Sequence, residues 1–183
     1  KYVDEAIPDA DPVLNQSSFL KLNSMQGKRK VIYLGYNISN SIHVLQSYLS
    51  AQISLSLYKY DCKDEQFSTS KGACTVEGNF SVNLVSCSIL ASTKTFTWST
   101  HLQIHVIAEL GVTSYNTDSA TWVTSSIDVP TLLANVNALN QGVVCLQLNP
   151  IAVVETLRFF APYFNIDANH EYLNPTLQVY SGA

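Results

Sequence analysis

Charge is scarce in this sequence. Only 13% of its 183 residues are charged, against about 25% in a typical soluble domain. Ten Lys and Arg leave a net charge of −4. The one tight basic cluster is Lys28-Arg29-Lys30. A nucleic-acid partner demands many cations to neutralise phosphates. No nucleic acid is expected, and the cluster reads as a solvated entry to a strand. No run of about 18 apolar residues occurs, so no membrane span is expected. Seven Gly include no phosphate-cradling loop and no Gly-x-Ser-x-Gly elbow. Cys-x-x-Cys pairs and Cys–His zinc spacing are missing too. No cofactor and no bound metal are therefore expected. The chain begins at Lys1 without a basic stretch leading into an apolar run, so a signal peptide, if the protein is made with one, is expected to be gone.

Apolar residues are plentiful. They make up 46% of the chain, enough to build a core and too much for a disordered segment. The length suits one domain. The surface left over is rich in Ser, Thr, Asn and Tyr, a composition that suits secreted, viral or filament proteins.

Four cysteines are present: Cys62, Cys74, Cys87 and Cys145. An even number without metal spacing points to disulfides and an oxidising compartment. Cys62 and Cys74 bracket a polar stretch that reads as a loop pinched at its base. Cys87 and Cys145 sit in strand-like segments and could pair between sheets. The alternative is that both are small buried apolar residues. Asn15, Asn37 and Asn79 begin N-x-S sequons. Three is about the number that 14 Asn and 34 Ser plus Thr give by chance in 183 residues, so they carry no weight.

Residues 1–15 are acidic, through Asp4, Glu5, Asp9 and Asp11, and contain Pro8 and Pro12. They read as an extended arm, and residues 16–183 as a single domain. In that domain the dominant period is two, the mark of half-buried strands. Ile53, Leu55 and Leu57 alternate with Ser54, Ser56 and Tyr58 within Gln52–Tyr60. Val31–Ile38 is β-branched and aromatic, with Gly35 as a candidate bulge. Asn79–Ile89 alternates and changes phase near Leu84–Val85, which marks a bulge. Thr95–Ala108 reads as one long strand, with Phe96, Trp98, Leu102, Ile104 and Val106 on its apolar face and His101, Gln103 and His105 opposite. Gly111 and Asn116-Thr117-Asp118 read as turns. Trp122–Val129, Val143–Leu148 and Leu177–Tyr180 are further strands. Leu132, Leu133, Val136 and Leu139 follow helical spacing behind Pro130, and Asn149-Pro150 reads as the start of a short helix over Ile151–Phe160. The fold class expected is all-β: an antiparallel β-sandwich, with the jelly roll as one form, and one or two short helices.

Chemical motifs are weak. His101 and His105 lie four apart, roughly 13 Å along a strand, too far for one metal ion. Asp167, Asn169 and Glu171 beside His170 loosely imitate a calcium loop but lack its Gly and distal Glu, and read as a surface turn. Tyr115, Asn116, Asp118 and Trp122 are the candidate contact residues, because aromatic rings beside polar side chains suit a sugar or a protein surface. The reading is a non-enzymatic structural or assembly subunit, of capsid, filament or surface-layer type, outside the cell or on a virion surface. A homo-oligomer joined through residues 1–15 is the expected assembly. A lectin-like glycan- or ligand-binding module, able to take a glycan or a protein, is the alternative, and a secreted hydrolase the third.

Overall fold

The computed structural model describes residues 1–12, 19–42, 45, 52–59, 77–88, 95–116, 122–135, 142–154, 156–160 and 175–180. The strands are β1 (Tyr2–Asp4), β2 (Phe19–Leu22), β3 (Lys30–Asn37), β4 (Gln52–Tyr58), β5 (Glu77–Val85), β6 (Val106–Asn116), β7 (Trp122–Ile127), β8 (Val143–Ala152), β9 (Leu157–Phe160) and β10 (Thr176–Tyr180). Among the described residues, the helices with assigned bounds are the short α1 (Trp98–His101) and α2 (Val129–Ala134). Every strand pair is antiparallel. Five strands form one sheet in the order β1-β3-β8-β5-β6. Facing it are β10-β4-β7 and the ribbon β2-β9, with a single bridge from Lys59 to Phe159 between them. The chain is an all-β sandwich.

Alternation builds the core. Ile53, Leu55 and Leu57 on β4 and Val123 and Ile127 on β7 point inward. They meet Ile32 and Leu34 of β3, Phe80, Val82 and Leu84 of β5, and Leu146 and Leu148 of β8. Helix α2 adds Val129 and Leu132. Its start follows local chemistry: Asp128 caps it by accepting from the Thr131 amide at 3.1 Å, with Pro130 in the first turn.

The five-stranded sheet also buries its second face. Val3, Val31, Tyr33, Val85 and Cys145 point away from the sandwich and pack under Cys87, Phe96 and Trp98. A disulfide joins Cys87 to Cys145 across 58 residues. It ties a covering layer to β8 and does not link the two sheets, because Cys145 alternates with the inward Val144 and Leu146. Cys62 and Cys74 lie outside the described residues.

That covering layer corrects the long strand expected over Thr95–Ala108. Thr97 accepts a hydrogen bond from the Thr100 amide and starts a turn of helix at Trp98, and β6 begins only at Val106. Polar and apolar residues alternate on paper. In the turn, however, Trp98 and His101 sit three apart on one side, and Leu102 is left 69% exposed. His101 therefore lies beside Trp98 and not opposite it, at a ring separation of 4.5 Å.

Other expectations change for similar local reasons. Pro150 starts no helix: it continues β8 opposite Phe80, where a register shift lets the sheet accept a residue without an N–H. Gly35 lies in a regular stretch of β3 with no bulge. Gly111 is no turn but sits within β6, where an added Cβ would lie 2.6 Å from the Ser126 carbonyl of β7. The register shift at Leu84–Val85 lies in the pairing with β6, where Ile107 is the extra residue; β5 itself alternates on, with Leu84 inward and Val85 outward. Within residues 1–15, Tyr2–Asp4 form a strand on the edge of the chain's own sheet. Glu5 grips Arg29 at 2.6 Å and the Gly27 amide at 2.8 Å, and Asp11 accepts from the Phe96 amide at 2.7 Å.

These positions predict opposite outcomes for two leucines. Leu55→Ala, in the sandwich core, is expected to cost about 2–5 kcal/mol. Leu102→Ala is expected to change stability by no more than about 0.5 kcal/mol. Urea unfolding of both variants measures this, and a large loss at Leu102 contradicts the covering layer described here.

Candidate functional site

Two groups of side chains stand out. The first runs through the covering layer. Asn83 donates to Gln147 at 3.0 Å, and Gln147 donates to the Tyr33 hydroxyl at 2.7 Å. That hydroxyl hydrogen-bonds Nδ1 of His101. Strands β5, β8 and β3 bring the first three residues side by side, since Asn83 and Tyr33 both flank Gln147 in register. Helix α1 lowers His101 onto the end of the row. Its pKa is pushed down to about 4, first by burial and then by the positive charge of Arg29. Arg29 itself lies 5.3 Å from the Trp98 ring centre. Burial also pushes the Tyr33 hydroxyl well above its ordinary value, so Tyr33 remains a donor and His101 a neutral acceptor. The row satisfies polar groups buried beneath the covering layer.

The second group is the outward face of β10-β4-β7. Cross-strand partners point to the same side of a sheet. Register therefore places Gln178, Ser54 and Ser126 in one row and Thr176, Ser56 and Thr124 in the next. Tyr180 and Gln52 close one end. Tyr58 and Trp122 close the other, as an edge-on ring pair 5.0 Å apart. Trp122 is 37% exposed and Tyr180 52%. None of these residues is charged. Their inward neighbours Leu177, Val179, Leu55 and Val123 hold the sheet on the core, so the face is fixed by packing beneath it. Hydroxyl and amide side chains with aromatic ends can donate, accept and cover apolar area with few rotamers to freeze.

The candidate residues from the sequence fall in different places. Trp122 lies on this face. Tyr115 turns inward, 6.1 Å from the Phe80 ring, and is 9% exposed. Asn116 ends β6, and Asp118 lies outside the described residues. Asp167, Asn169, His170 and Glu171 also lie outside them. His105 is exposed just before β6. The remaining members of the face carried no signal of their own, because only strand pairing brings them together. Among the described residues, no group of three or more His, Cys, Asp or Glu is placed to hold a metal ion, and no helix is long and apolar enough to cross a membrane.

Fold and site thus define an all-β sandwich with an uncharged, hydroxyl-rich sheet face. No protein-family model matches the chain, and no curated protein sequence matches it.

The depressed His101 sets a pH dependence. Its ordinary value is 6.5. Between about 6.5 and 4 the unfolded chain takes up a proton that the folded chain refuses, so stability is expected to fall as pH drops through that window. Above it the contribution is complete, and below about 4 it levels off. Comparing thermal midpoints of the natural protein and His101→Gln across this range isolates the effect; parallel curves contradict it.

Proposed function

We propose that this chain is a non-enzymatic subunit, working outside the cell or on a virion surface, that assembles with further copies of itself. The outward face of β10-β4-β7 is the observation that carries the reading. Interface centres are depleted of charge and enriched in Tyr and Trp. In a two-fold pair the same patch meets itself, so a charge near the axis would face its own kind. A chain of net charge −4 meets its copy at lowest cost where it carries no charge at all. Seven-residue β4 and its two neighbours cover roughly 14 by 23 Å. This is less than the roughly 800 Å² per partner of a standard interface, so the face supplies the centre and adjoining surface the rim. The Cys87–Cys145 disulfide supports a location outside the reducing cytosol. Residues 1–15 remain a second route to assembly, through exchange of β1 between copies.

Sedimentation over a wide concentration range tests the proposal. Ser56→Arg and Thr124→Arg, at facing positions and made one at a time so that like charges do not oppose each other, are each expected to weaken association at least tenfold while leaving the melting temperature nearly unchanged. Lys28→Glu, in the turn that leads into β3 of the other sheet, is expected to have no such effect. A natural protein that stays monomeric at high concentration overturns the assembly reading. Association that survives both single variants but is lost when residues 1–4 are deleted assigns it to β1.

A further inference from the structure

Number alone gives the N-x-S sequons no weight, but the fold tells them apart. Asn79 sits inside β5, paired with Ser114 of β6 on one side and Ala152 of β8 on the other. Ser81, two residues on, is buried. Asn37 is the last residue of β3. Asn37 and Ser39 are both exposed, whereas Ile38 between them is buried in the sandwich core. The middle residue thus anchors this sequon, and its two outer members face solvent. Asn15 lies outside the described residues.

Local bonding holds this arrangement. The Ile38 amide donates to the Gly142 carbonyl, and the Ile38 carbonyl accepts from the Ser41 amide, both at 2.8 Å. Gly142, at a φ of 81°, comes so near that an added Cβ would stand 2.8 Å from Cβ of Ser39. The Ser39 amide donates to Oδ1 of Asn37 at 3.0 Å, closing an Asx turn. Oδ1 is thereby engaged, and Nδ2 makes no hydrogen bond. Asn37 alternates with Tyr36, which packs on the core. It therefore points to the outer face of the five-stranded sheet, on the same side as Gly35. Phe96 and Trp98 cover Val31 and Tyr33 on that face. Gly35 beyond them is exposed, with open space where a Cβ would stand.

We propose that Asn37 carries an N-linked glycan. The inference rests on the reading that the chain works outside the cell, because the sugar donor is met on the secretory route. The donor is a polyprenyl-diphosphate-linked oligosaccharide, and the catalyst is an oligosaccharyltransferase. Nδ2 of Asn37 attacks C1 of the first sugar. The Nδ2–C1 bond forms, the C1–O bond breaks, and the diphosphate leaves with the electron pair of that bond. One of the two Nδ2 protons passes to a base of the transferase. The transferase acts on the chain as it enters, so the fold decides which glycan the native structure can keep. At Asn37 a bulky hydrophilic group has open space along β3. It shields the end of the outer face that the covering layer leaves bare. The β10-β4-β7 face, on the other side of the sandwich, stays free to associate.

Expression behind a signal peptide in an insect or mammalian cell line tests this. Chains are recovered from cells and medium together, so the readout does not depend on release. Enzymatic deglycosylation in heavy-oxygen water converts each occupied Asn to a labelled Asp, which peptide mass mapping then locates. The Asn37 peptide is expected to carry the label in most molecules. Ser39→Ala keeps the Cβ beside Gly142 and is expected to abolish the label at Asn37. A bare Asn37, a label there that survives Ser39→Ala, or higher occupancy at Asn79 than at Asn37 each overturns the proposal. If the bare chains hold the Cys87–Cys145 bond, the extracellular reading stands without it. A glycosylated chain that stays monomeric at high concentration sinks the assembly reading and leaves this one in place.

Discussion

The attachment of the segment following β5 to the outer face of the five-stranded sheet governs the rest of the structure. A sandwich needs only one buried face per sheet. Here β3, β5 and β8 bury both, so Val31, Tyr33, Val85 and Cys145 must be covered from outside. Phe96 and Trp98 provide that cover, each side chain of this size contributing about 1.5–3 kcal/mol when fully buried. The Cys87–Cys145 bond holds the layer in place and closes a long loop in the unfolded chain. This disfavours the unfolded state by about 2–4 kcal/mol. Covering the face also strands the polar side chains beneath it. The hydrogen-bonded row from Asn83 to His101 answers that cost, while burial and the nearby Arg29 keep His101 neutral.

The same distinction decides what could be read from the sequence. Strands with one wet face announce themselves: β4 and β7 alternate cleanly, and Ile53, Leu55, Leu57 and Val123 lie where the period puts them. The phase change in β5 has another cause: both of its faces are buried, so Val85 follows Leu84 as an apolar residue on the opposite face, and the extra residue, Ile107, lies in β6. The covering layer was not legible. Alternation of polar and apolar residues is compatible with a strand, and it also occurs in a turn of helix followed by irregular chain. Thr97 decided between them through one local hydrogen bond. Pro150 and Gly111 were misjudged for a related reason. Both residues break structure locally, yet a register shift admits the proline, and the nearness of the Ser126 backbone demands the glycine. Those are long-range facts.

The candidate face shows the limit more sharply. Trp122 drew attention through its aromatic ring and polar neighbours. Tyr58, its true aromatic partner, lies 64 positions earlier in the chain and was read only as the outward end of a strand. Ser54, Ser56, Thr124 and Gln178 are ordinary residues taken singly. Their meaning comes from being uncharged together, and only the β10-β4-β7 register shows that. The Tyr115 ring is committed to Phe80 and Gly78, and it is the hydroxyl that is left without a partner.

Low overall charge and its uneven placement bear on how copies of this chain repel one another. Asp4, Glu5, Arg29 and Lys30 pair with one another along β1 and β3, and Lys21 and Arg158 lie on the β2-β9 ribbon. Charges used up in local pairs add little to long-range repulsion between molecules. A chain with so few charges, many of them paired, repels its copies weakly, and its uncharged sheet face has nothing to hold a second copy away. A surface of Ser, Thr and Gln stays hydrated where an apolar one would collapse without specificity. Contact there must then be won by matched hydrogen bonds and by the rings at its ends, which favours one geometry of approach over indiscriminate clumping. Under the proposed assembly, the composition that makes the sequence look featureless is the property that would let two identical faces meet.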